Sequence, residues 1–346
     1  MNPIIWATLI TSLSTTTIIT MSSHHWLLAW LGLELNTLSI LPLLMKSHHP
    51  RATEATTKYF IIQTSAAALI LFSSTINSWL TGHWSITFAP APLTTKISTL
   101  SLMIKLGAAP VHLWYPEILQ GVTMNIALTI ATWQKIAPLT MLLLMHSTLP
   151  TPLLLTISLI SITVGGLTGL NQTQTRKIMA FSSIAHMGWL TAALALTPQL
   201  TILTTMIYII LTTATFTALT TTTTKTITDT NTTWSNSQTL LTLTMLTLMS
   251  LGGLPPLTGF MPKLLILYNL TAVALPPLGA FLAIASLPSL FFYVRLAYLT
   301  MLTNPPNNTN TKHNWRFKPT PQQTLTTTLA LSLLLLPITP LMHTTT

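Results

Sequence analysis

Long apolar segments separated by few charges constrain this chain more than any other feature. A membrane-spanning helix needs about 20 mostly apolar residues, and such segments recur from one end of the 346-residue chain to the other. Charged residues make up only 5% of the sequence, whereas a soluble domain carries roughly 25%. Water cannot solvate a surface of this composition, so the sequence predicts an all-α, polytopic membrane protein.

The apolar segments predict about eleven transmembrane helices in one domain covering residues 1–346. Threonine is frequent in them, and its hydroxyl can bond to carbonyls of its own helix, which keeps these segments compatible with lipid. The predicted limits are 3–21, 25–45, 56–79, 94–119, 122–146, 149–170, 176–196, 198–223, 238–269, 276–302 and 322–342.

Apart from Lys105, Lys135, Lys263 and Arg295, which lie within spans, the lysines and arginines fall almost entirely in the even-numbered loop regions between these spans. Lys96, near the third loop, is the exception, and those in the even-numbered regions are Lys46, Arg51, Lys58, Arg176, Lys177, Lys225, Lys312, Arg316 and Lys318. By the positive-inside rule, this asymmetry places the N-terminus on the positive side of the membrane and, with an odd number of spans, the C-terminus on the other side. The first basic group, Lys46 to Lys58, could also attract an anionic phospholipid such as cardiolipin.

Two of the spans carry helix-breaking residues in their interiors. Segment 94–119 contains Gly107, Pro110 and Pro116, and segment 238–269 contains the run from Gly252 to Pro256. Proline removes a backbone donor and clashes with the preceding turn, and free backbone groups are tolerated in a membrane only inside protein or beside water. We therefore predict two discontinuous helices, which in transporters often mark the transport site and an internal repeat. A proline kink that only shapes helix packing is the alternative.

Four charged residues lie deep within predicted spans: Glu34, Lys105, Lys135 and Lys263. Each costs roughly 2.5–3.5 kcal/mol on insertion scales, and from mid-membrane a lysine stem hardly reaches the interface. Because a carboxylate that approaches or leaves a buried lysine changes whether that lysine holds its proton, we interpret the four as a proton relay. Glu117 and Arg295 lie near span ends, where a solvated helix end and an interfacial anchor are expected.

Two histidines, His112 and His186, also fall in or near spans. Histidine titrates near neutrality and can extend a proton wire, but a hydrogen-bonded structural role explains each equally well. The pairs His24–His25 and His48–His49 lack carboxylates at helical spacing and make poor metal sites.

Other chemistry is excluded by what the sequence lacks. There is no cysteine, which rules out iron–sulfur clusters and thiolate zinc sites in this chain. There is no phosphate-binding glycine loop or dinucleotide fingerprint, and the scattered basic residues do not form a nucleic-acid patch. Because no basic presequence precedes the first apolar segment, we expect that segment to be retained. The sequence thus predicts no metal, no bound cofactor and no nucleic-acid partner.

Six stretches of the sequence are recognisable by their order and spacing: Trp30–Glu34, Lys105–His112 with Pro116-Glu117, Trp133–Pro138, Gly169–Lys177, Ser183–Trp189 and Gly252–Lys263. Together they resemble the chain 2 family of vertebrate mitochondrial NADH–ubiquinone oxidoreductase, respiratory complex I, over essentially the whole length. The resemblance implies an antiporter-like fold of two inverted five-helix repeats, each with one broken helix. It also implies the loss of three N-terminal helices found in bacterial relatives, which agrees with eleven spans.

The resemblance further implies a location in the mitochondrial inner membrane, with the positive face toward the matrix. Synthesis inside the organelle would explain the missing targeting sequence. In that family Glu34 would pair with Lys105 at the start of the conduit, Lys135 would be the central relay, and Lys263 would lie on the exit half. NADH, FMN, iron–sulfur clusters and ubiquinone would belong to partner subunits, among which neighbouring antiporter-like chains are expected.

Two rival functions stay open at this point. A self-sufficient cation/proton antiporter would share the fold and the buried lysines. A purely structural spacer between pumps would not need the buried charges, and the cost of burying four of them argues against this role.

Overall fold

The structure, a computed structural model, describes residues 3–87, 91–230, 238–301 and 323–334. These residues are mostly α-helical, and within them the β-structure is limited to two isolated bridges, His25 with Ser85 and Gln174 with Thr226. The predicted all-α class is therefore confirmed. The basic residues Lys312, Arg316 and Lys318, and residues 335–342 at the end of the predicted span 322–342, lie outside the described residues.

The chain divides into two compact units between Ser161 and Ile162. Helices of the first unit are α1 Pro3–Met21, α2 Trp26–Leu44, α3 Pro50–Thr81, α4 Pro92–Leu106, α5 Trp114–Gly121, α6 Met124–Ala131 and α7 Trp133–Leu144. Helix α8, Thr151–Leu170, contains the division point. Within the first unit, α3 packs against α2, α4 and α5, while α7 packs against α1, α2 and α4.

The second unit is also built from helices alone among its described residues. They are α9 Thr175–Leu196, α10 Pro198–Thr222, α11 Gln238–Gly252, α12 Phe260–Ala272, α13 Pro276–Ala285, α14 Leu287–Met301 and α15 Gln323–Leu334. Helix α12 packs against α9, α10 and α13, and α11 packs against α10, α14 and α15.

Eight segments of the described chain are long and apolar enough to cross a membrane. They are Pro3–Met21, Trp26–Leu44, Pro50–Thr81, Met124–Leu144, Thr151–Leu170, Thr175–Leu196, Pro198–Thr222 and Pro276–Thr300. Each corresponds to one of the predicted spans. The two predicted discontinuous spans are divided into the shorter helices α4 with α5 and α11 with α12.

Both interruptions begin with the same backbone motif. Gly107 has φ +74°, its N–H donates to the Ile104 carbonyl, and the Ala108 N–H donates to the Met103 carbonyl. In the second unit Gly253 has φ +82°, its N–H donates to the Ser250 carbonyl, and the Leu254 N–H donates to the Met249 carbonyl. This is the Schellman ending of a helix, in which glycine accepts the left-handed conformation without a steric penalty.

The structure corrects one predicted helix start and adds interruptions within two predicted spans. Helix α3 begins at Pro50 and not near residue 56, because His49 caps it by accepting a hydrogen bond from the Arg51 N–H at 3.2 Å and proline suits the first helical position. The predicted spans 122–146 and 276–302 are each interrupted, at Thr132 and Ser286. At Ser286 the cause is Pro288, which has no N–H to offer the preceding turn.

Threonine and serine hydroxyls donate hydrogen bonds to carbonyls of their own helices, as predicted. Thr37 donates to the Glu34 carbonyl at 2.7 Å and Thr204 donates to the Thr201 carbonyl at 2.9 Å, and the same three-residue pattern recurs along most helices. A hydroxyl bonded in this way can face apolar surroundings at little cost. Close packing of α8 on α9 relies on Gly165, where a Cβ would come within 2.7 Å of the Ala185 backbone nitrogen.

Candidate functional site

Lys105 is buried and Glu34 is half-buried, and these opposite charges do not touch. Lys105 lies in the last turn of α4, directly before the Gly107 interruption, and only 6% of it is exposed. Its ammonium and the Oε2 atom of Glu34 are buried without a hydrogen-bond partner among the described residues. The separation leaves room for a change in distance, and a change in distance would alter how firmly the lysine holds its proton.

A small cavity of the first unit is lined by both Lys105 and Lys135. It offers about 20 Å³ to the centres of water molecules, which is enough for one water. Amide side chains line the same cavity: Gln63 donates to the Lys105 carbonyl at 3.4 Å, and Gln134 donates to the Asn36 side chain at 3.3 Å. Water in this cavity would have polar partners on several sides, as a stable buried water requires.

Lys135 lies near the start of α7, three residues after the irregular Thr132, and is 4% exposed. Its ammonium is 4.9 Å from the centroid of the Tyr115 ring. The face of an aromatic ring attracts a cation at this distance. The ring is held by its neighbours, since Tyr115 packs edge-on against Trp114, whose ring in turn packs edge-on against Tyr59.

Lys263 lies in the first turn of α12 but reaches back to the end of α11. Its ammonium donates to the Gly252 carbonyl at 2.8 Å, and it is 5.9 Å from the centroid of the Trp189 ring. The carbonyls at the C-terminus of a helix carry partial negative charge and favour a cation. Lys105, in the last turn of α4, occupies a comparable helix end in the first unit.

His186 contributes to a second cavity, which Lys263 also lines. This cavity, within the second unit, offers about 30 Å³ to the centres of water molecules, or room for about two waters. The Nε2 atom of His186 is 3.4 Å from the Tyr293 hydroxyl, and its ring packs against Tyr208. His186 and Lys263 thus line one cavity, where water could connect them.

His112 has a different setting, inside the interruption between α4 and α5. It is buried, with its Nδ1 atom 3.0 Å from the Pro110 carbonyl, and its own carbonyl accepts from the Tyr115 N–H at 3.1 Å. If the imidazole is neutral, the Nδ1 atom carries the hydrogen and Nε2 is an acceptor. Both bonds stabilise the turn that presents Tyr115 to Lys135.

The residues expected at helix ends are exposed. Arg295 donates to the Leu170 carbonyl at 3.1 Å and so caps α8. Glu117 and Glu54 both accept from the Lys58 ammonium, at 2.7 and 2.6 Å. Lys58 is therefore already paired with two carboxylates.

Histidines also act as helix caps, because His25 accepts from the Leu27 N–H at 3.2 Å. No group of three or more metal-ligating side chains occurs among the residues that the structure describes.

Several residues of this site escaped the sequence analysis. Tyr115 and Trp189 supply the aromatic faces, and Asn36, Gln63 and Gln134 supply the polar walls. Tyr115, Gln134 and Trp189 stand beside or within the strings that carry the family resemblance, which was the available signal. Gln63 and Asn36 had no signal beyond being polar residues in an apolar span.

Two family models match adjoining parts of the chain. The model described as NADH:quinone oxidoreductase/Mrp antiporter, TM, matches residues 23–289, and that described as NADH dehydrogenase subunit 2 C-terminus matches residues 290–343.

Relatives and a solved structure agree with these models. NADH-ubiquinone oxidoreductase chain 2 of Varanus melinus is 50% identical over 343 residues, covering 99% of each chain, and that of Xenopus laevis is 48% identical over 342 residues, also covering 99% of each. A chain in the structure of respiratory complex I from Thermus thermophilus with bound aureothin superposes with a TM-score of 0.84 at 25% identity, covering 95% of this chain and 78% of that one. The protein belongs to the NADH-ubiquinone oxidoreductase chain 2 family.

Proposed function

We propose that the chain is a proton-translocating membrane-arm subunit of respiratory complex I, and that its buried lysines carry the protons. The observation that supports the relay most directly is the first-unit cavity lined by both Lys105 and Lys135. Two lysines lining one water-sized space inside apolar helices would be expensive as structural elements. The same arrangement is what a proton transfer through one water requires.

The first step is controlled by Glu34. When the carboxylate is close to Lys105, the lysine holds a proton because opposite charges attract strongly in a medium of low dielectric constant. When the carboxylate moves away, the Lys105 ammonium gives a proton to the water of the cavity, and that water gives one of its protons to a neutral Lys135. Lys105 ends neutral and Lys135 ends protonated, so one charge has moved and no bond other than O–H and N–H has changed.

Lys263 and His186 form the corresponding site of the second unit. The Lys263 ammonium, bonded to the Gly252 carbonyl, is the proton carrier of the exit half. His186 shares a cavity with it and, through water, could take up or deliver a proton. The alternative role of His186 is to position Tyr293, 3.4 Å away. We assign His112 the role of stabilising the turn between α4 and α5. A role in the proton relay stays open for it, through its Nε2 atom.

The redox chemistry takes place in other subunits. We propose that NADH, FMN, iron–sulfur clusters and ubiquinone are bound by partner chains, and that neighbouring antiporter-like subunits lie beside this one in the mitochondrial inner membrane. The proposal includes eleven spans arranged as two inverted repeats, with the N-terminus in the matrix and the C-terminus in the intermembrane space. The shared Schellman ending of α4 and α11 supports the repeat.

A bound phospholipid is a further part of the proposal. Lys46, 5.8 Å from the centroid of the Trp6 ring, and Arg51 are exposed near the start of α3. Lys58 is engaged by Glu54 and Glu117, so Lys46 and Arg51 would provide most of the attraction for a headgroup such as that of cardiolipin.

A self-sufficient cation/proton antiporter is the second candidate, because the family model that matches residues 23–289 covers Mrp antiporters as well. Native electrophoresis of gently solubilised membranes, with an NADH-dehydrogenase stain and an antibody to this chain, separates the two. Co-migration with a very large NADH-active band is the expected result. Migration as a small oligomer without NADH activity, together with Na⁺/H⁺ or K⁺/H⁺ exchange by the purified chain in liposomes, would favour the antiporter.

A further inference from the structure

Each unit places a relay lysine against the face of a buried aromatic ring. The Lys135 ammonium lies 4.9 Å from the Tyr115 centroid in the first unit, and the Lys263 ammonium lies 5.9 Å from the Trp189 centroid in the second. Tyr115 is 1% exposed and Trp189 is 5% exposed. Both distances are within the roughly 6 Å over which a ring attracts a cation, and desolvation strengthens that attraction.

The supply of carboxylates makes this arrangement significant. The chain has four acidic residues for 14 lysines and arginines. Two of the four, Glu54 and Glu117, are bonded to Lys58, and Asp229 accepts from the backbone N–H groups of Lys225 and Thr226. Most cationic groups of this chain must therefore be stabilised by something other than a carboxylate, and an aromatic face is one such group.

We propose that Tyr115 and Trp189 are positioning residues of the proton relay, which stabilise the ammonium forms of Lys135 and Lys263 moderately enough for the proton to leave again. The inference rests on the proposed function. A carboxylate 4 Å from an ammonium group, at an effective dielectric constant of about 20, favours the protonated lysine by roughly a thousandfold, which would hold the proton for too long. An aromatic face stabilises the protonated lysine by about two- to thirtyfold, enough to accept a proton and weak enough to release it.

The rings are held in place by their own packing. Tyr115 meets Trp114 edge-on, with 5.5 Å between ring centroids and planes at 88°, so its face stays toward Lys135. Trp189 lies on α9, which packs against the α12 helix that carries Lys263. Other titratable groups that line the two cavities are Lys105 and Tyr59 in the first unit and His186 and Tyr208 in the second.

The test compares variants that keep or remove each ring in the assembled complex. Tyr115→Phe keeps a ring face and Tyr115→Leu removes it, while the series Trp189, Trp189→Phe and Trp189→Leu weakens it in steps, since tryptophan attracts cations best. Phe216→Leu is the matched control, because Phe216 is fully buried in the second unit and has no lysine over its ring. Native electrophoresis checks assembly, and protons pumped per NADH oxidised are measured in liposomes.

We expect the two leucine variants to lose most of this subunit's share of the protons pumped per NADH, Tyr115→Phe to pump nearly normally, and Trp189→Phe to lie in between. Equal losses in Tyr115→Phe and Tyr115→Leu, or an equal loss in Phe216→Leu, would overturn the inference, because the hydroxyl or simple packing would then be responsible. If a leucine variant fails to assemble, methionine, which fills most of the ring volume, replaces it with the same expectation.

Lys135→Met separates this inference from the proposed function. If Lys135→Met abolishes the contribution of this subunit while Tyr115→Leu and Trp189→Leu leave pumping unchanged, the relay stands and the role of the rings is wrong. If Lys135→Met itself leaves pumping unchanged, the relay is wrong, whatever the ring variants do.

Discussion

Gly253→Ala should disable Lys263 without replacing any charged residue. A Cβ at this position would lie 2.8 Å from the Lys263 Nζ atom and 3.1 Å from its Cδ atom, closer than such atoms can approach. The end of a lysine side chain is flexible, so it will move and the backbone will not. The ammonium then loses its 2.8 Å hydrogen bond to the Gly252 carbonyl.

The substitution has two energetic effects, one on the backbone at residue 253 and one on the position of Lys263. A non-glycine residue at φ +82° costs about 1–2 kcal/mol of backbone strain. A hydrogen bond from a charged group contributes about 1.5–3 kcal/mol, so the population of Lys263 in its present position should fall roughly ten- to a hundredfold. The backbone strain lowers stability, and the displacement of Lys263 should appear as lost proton pumping.

Gly82→Ala separates these two effects. Gly82 ends α3 at φ +74°, nearly the same backbone conformation, but nothing lies within 4 Å of a Cβ added there. Both variants should lower the melting temperature of the complex by a similar amount, and only Gly253→Ala should lower the number of protons pumped per NADH in liposomes. If the two variants pump equally well, the carbonyl contact of Lys263 has no part in the relay.

Two further predictions concern loop positions outside the relay. The Thr226 backbone N–H, with a contribution from that of Lys225, holds the pKa of the Asp229 carboxyl below its ordinary value. The loop stabilisation that follows is present above the ordinary pKa of about 3.9 and is lost as pH falls through the lowered value. Asp229→Asn should therefore speed hydrogen exchange at the Lys225 and Thr226 amides at pH 7, and unchanged exchange would contradict this. Ala274 has φ +61°, so Ala274→Gly should raise the melting temperature, with a net gain of about 0.5–1 kcal/mol. Ala272→Gly, inside α12, should lower it; a fall in both would show that Ala274 is not strained.

The sequence was sufficient for features that depend on local chemistry. Gly107 and Gly253 predicted helix interruptions because glycine and the following prolines act on the backbone next to them. Lys105 and Lys135 were predicted to be buried because the apolar residues around them leave no path to water, and the structure agrees. The start of α3 was missed because His49 is an unusual N-cap, for which propensity gives little weight.

Contacts between distant residues were beyond the sequence. The reach of Lys263 back to Gly252 depends on a side-chain conformation and on the turn between α11 and α12. Tyr115 meets Lys135 only because α5 and α7 fold into one unit, and Glu117 meets Lys58 across 59 positions. No periodicity encodes such pairs, since they follow from how helices pack and not from how each helix forms.

Replacing Lys135 by methionine tests the central claim most directly. Methionine keeps much of the apolar volume of the lysine stem and cannot carry a proton. Lys96→Met is the control, because Lys96 is exposed on α4 and does not line the cavity. Both variants should assemble, as native electrophoresis would show, and the measurement is protons pumped per NADH oxidised in liposomes. The relay predicts that Lys135→Met pumps fewer protons per NADH while Lys96→Met pumps normally; equal pumping by the two variants would contradict it.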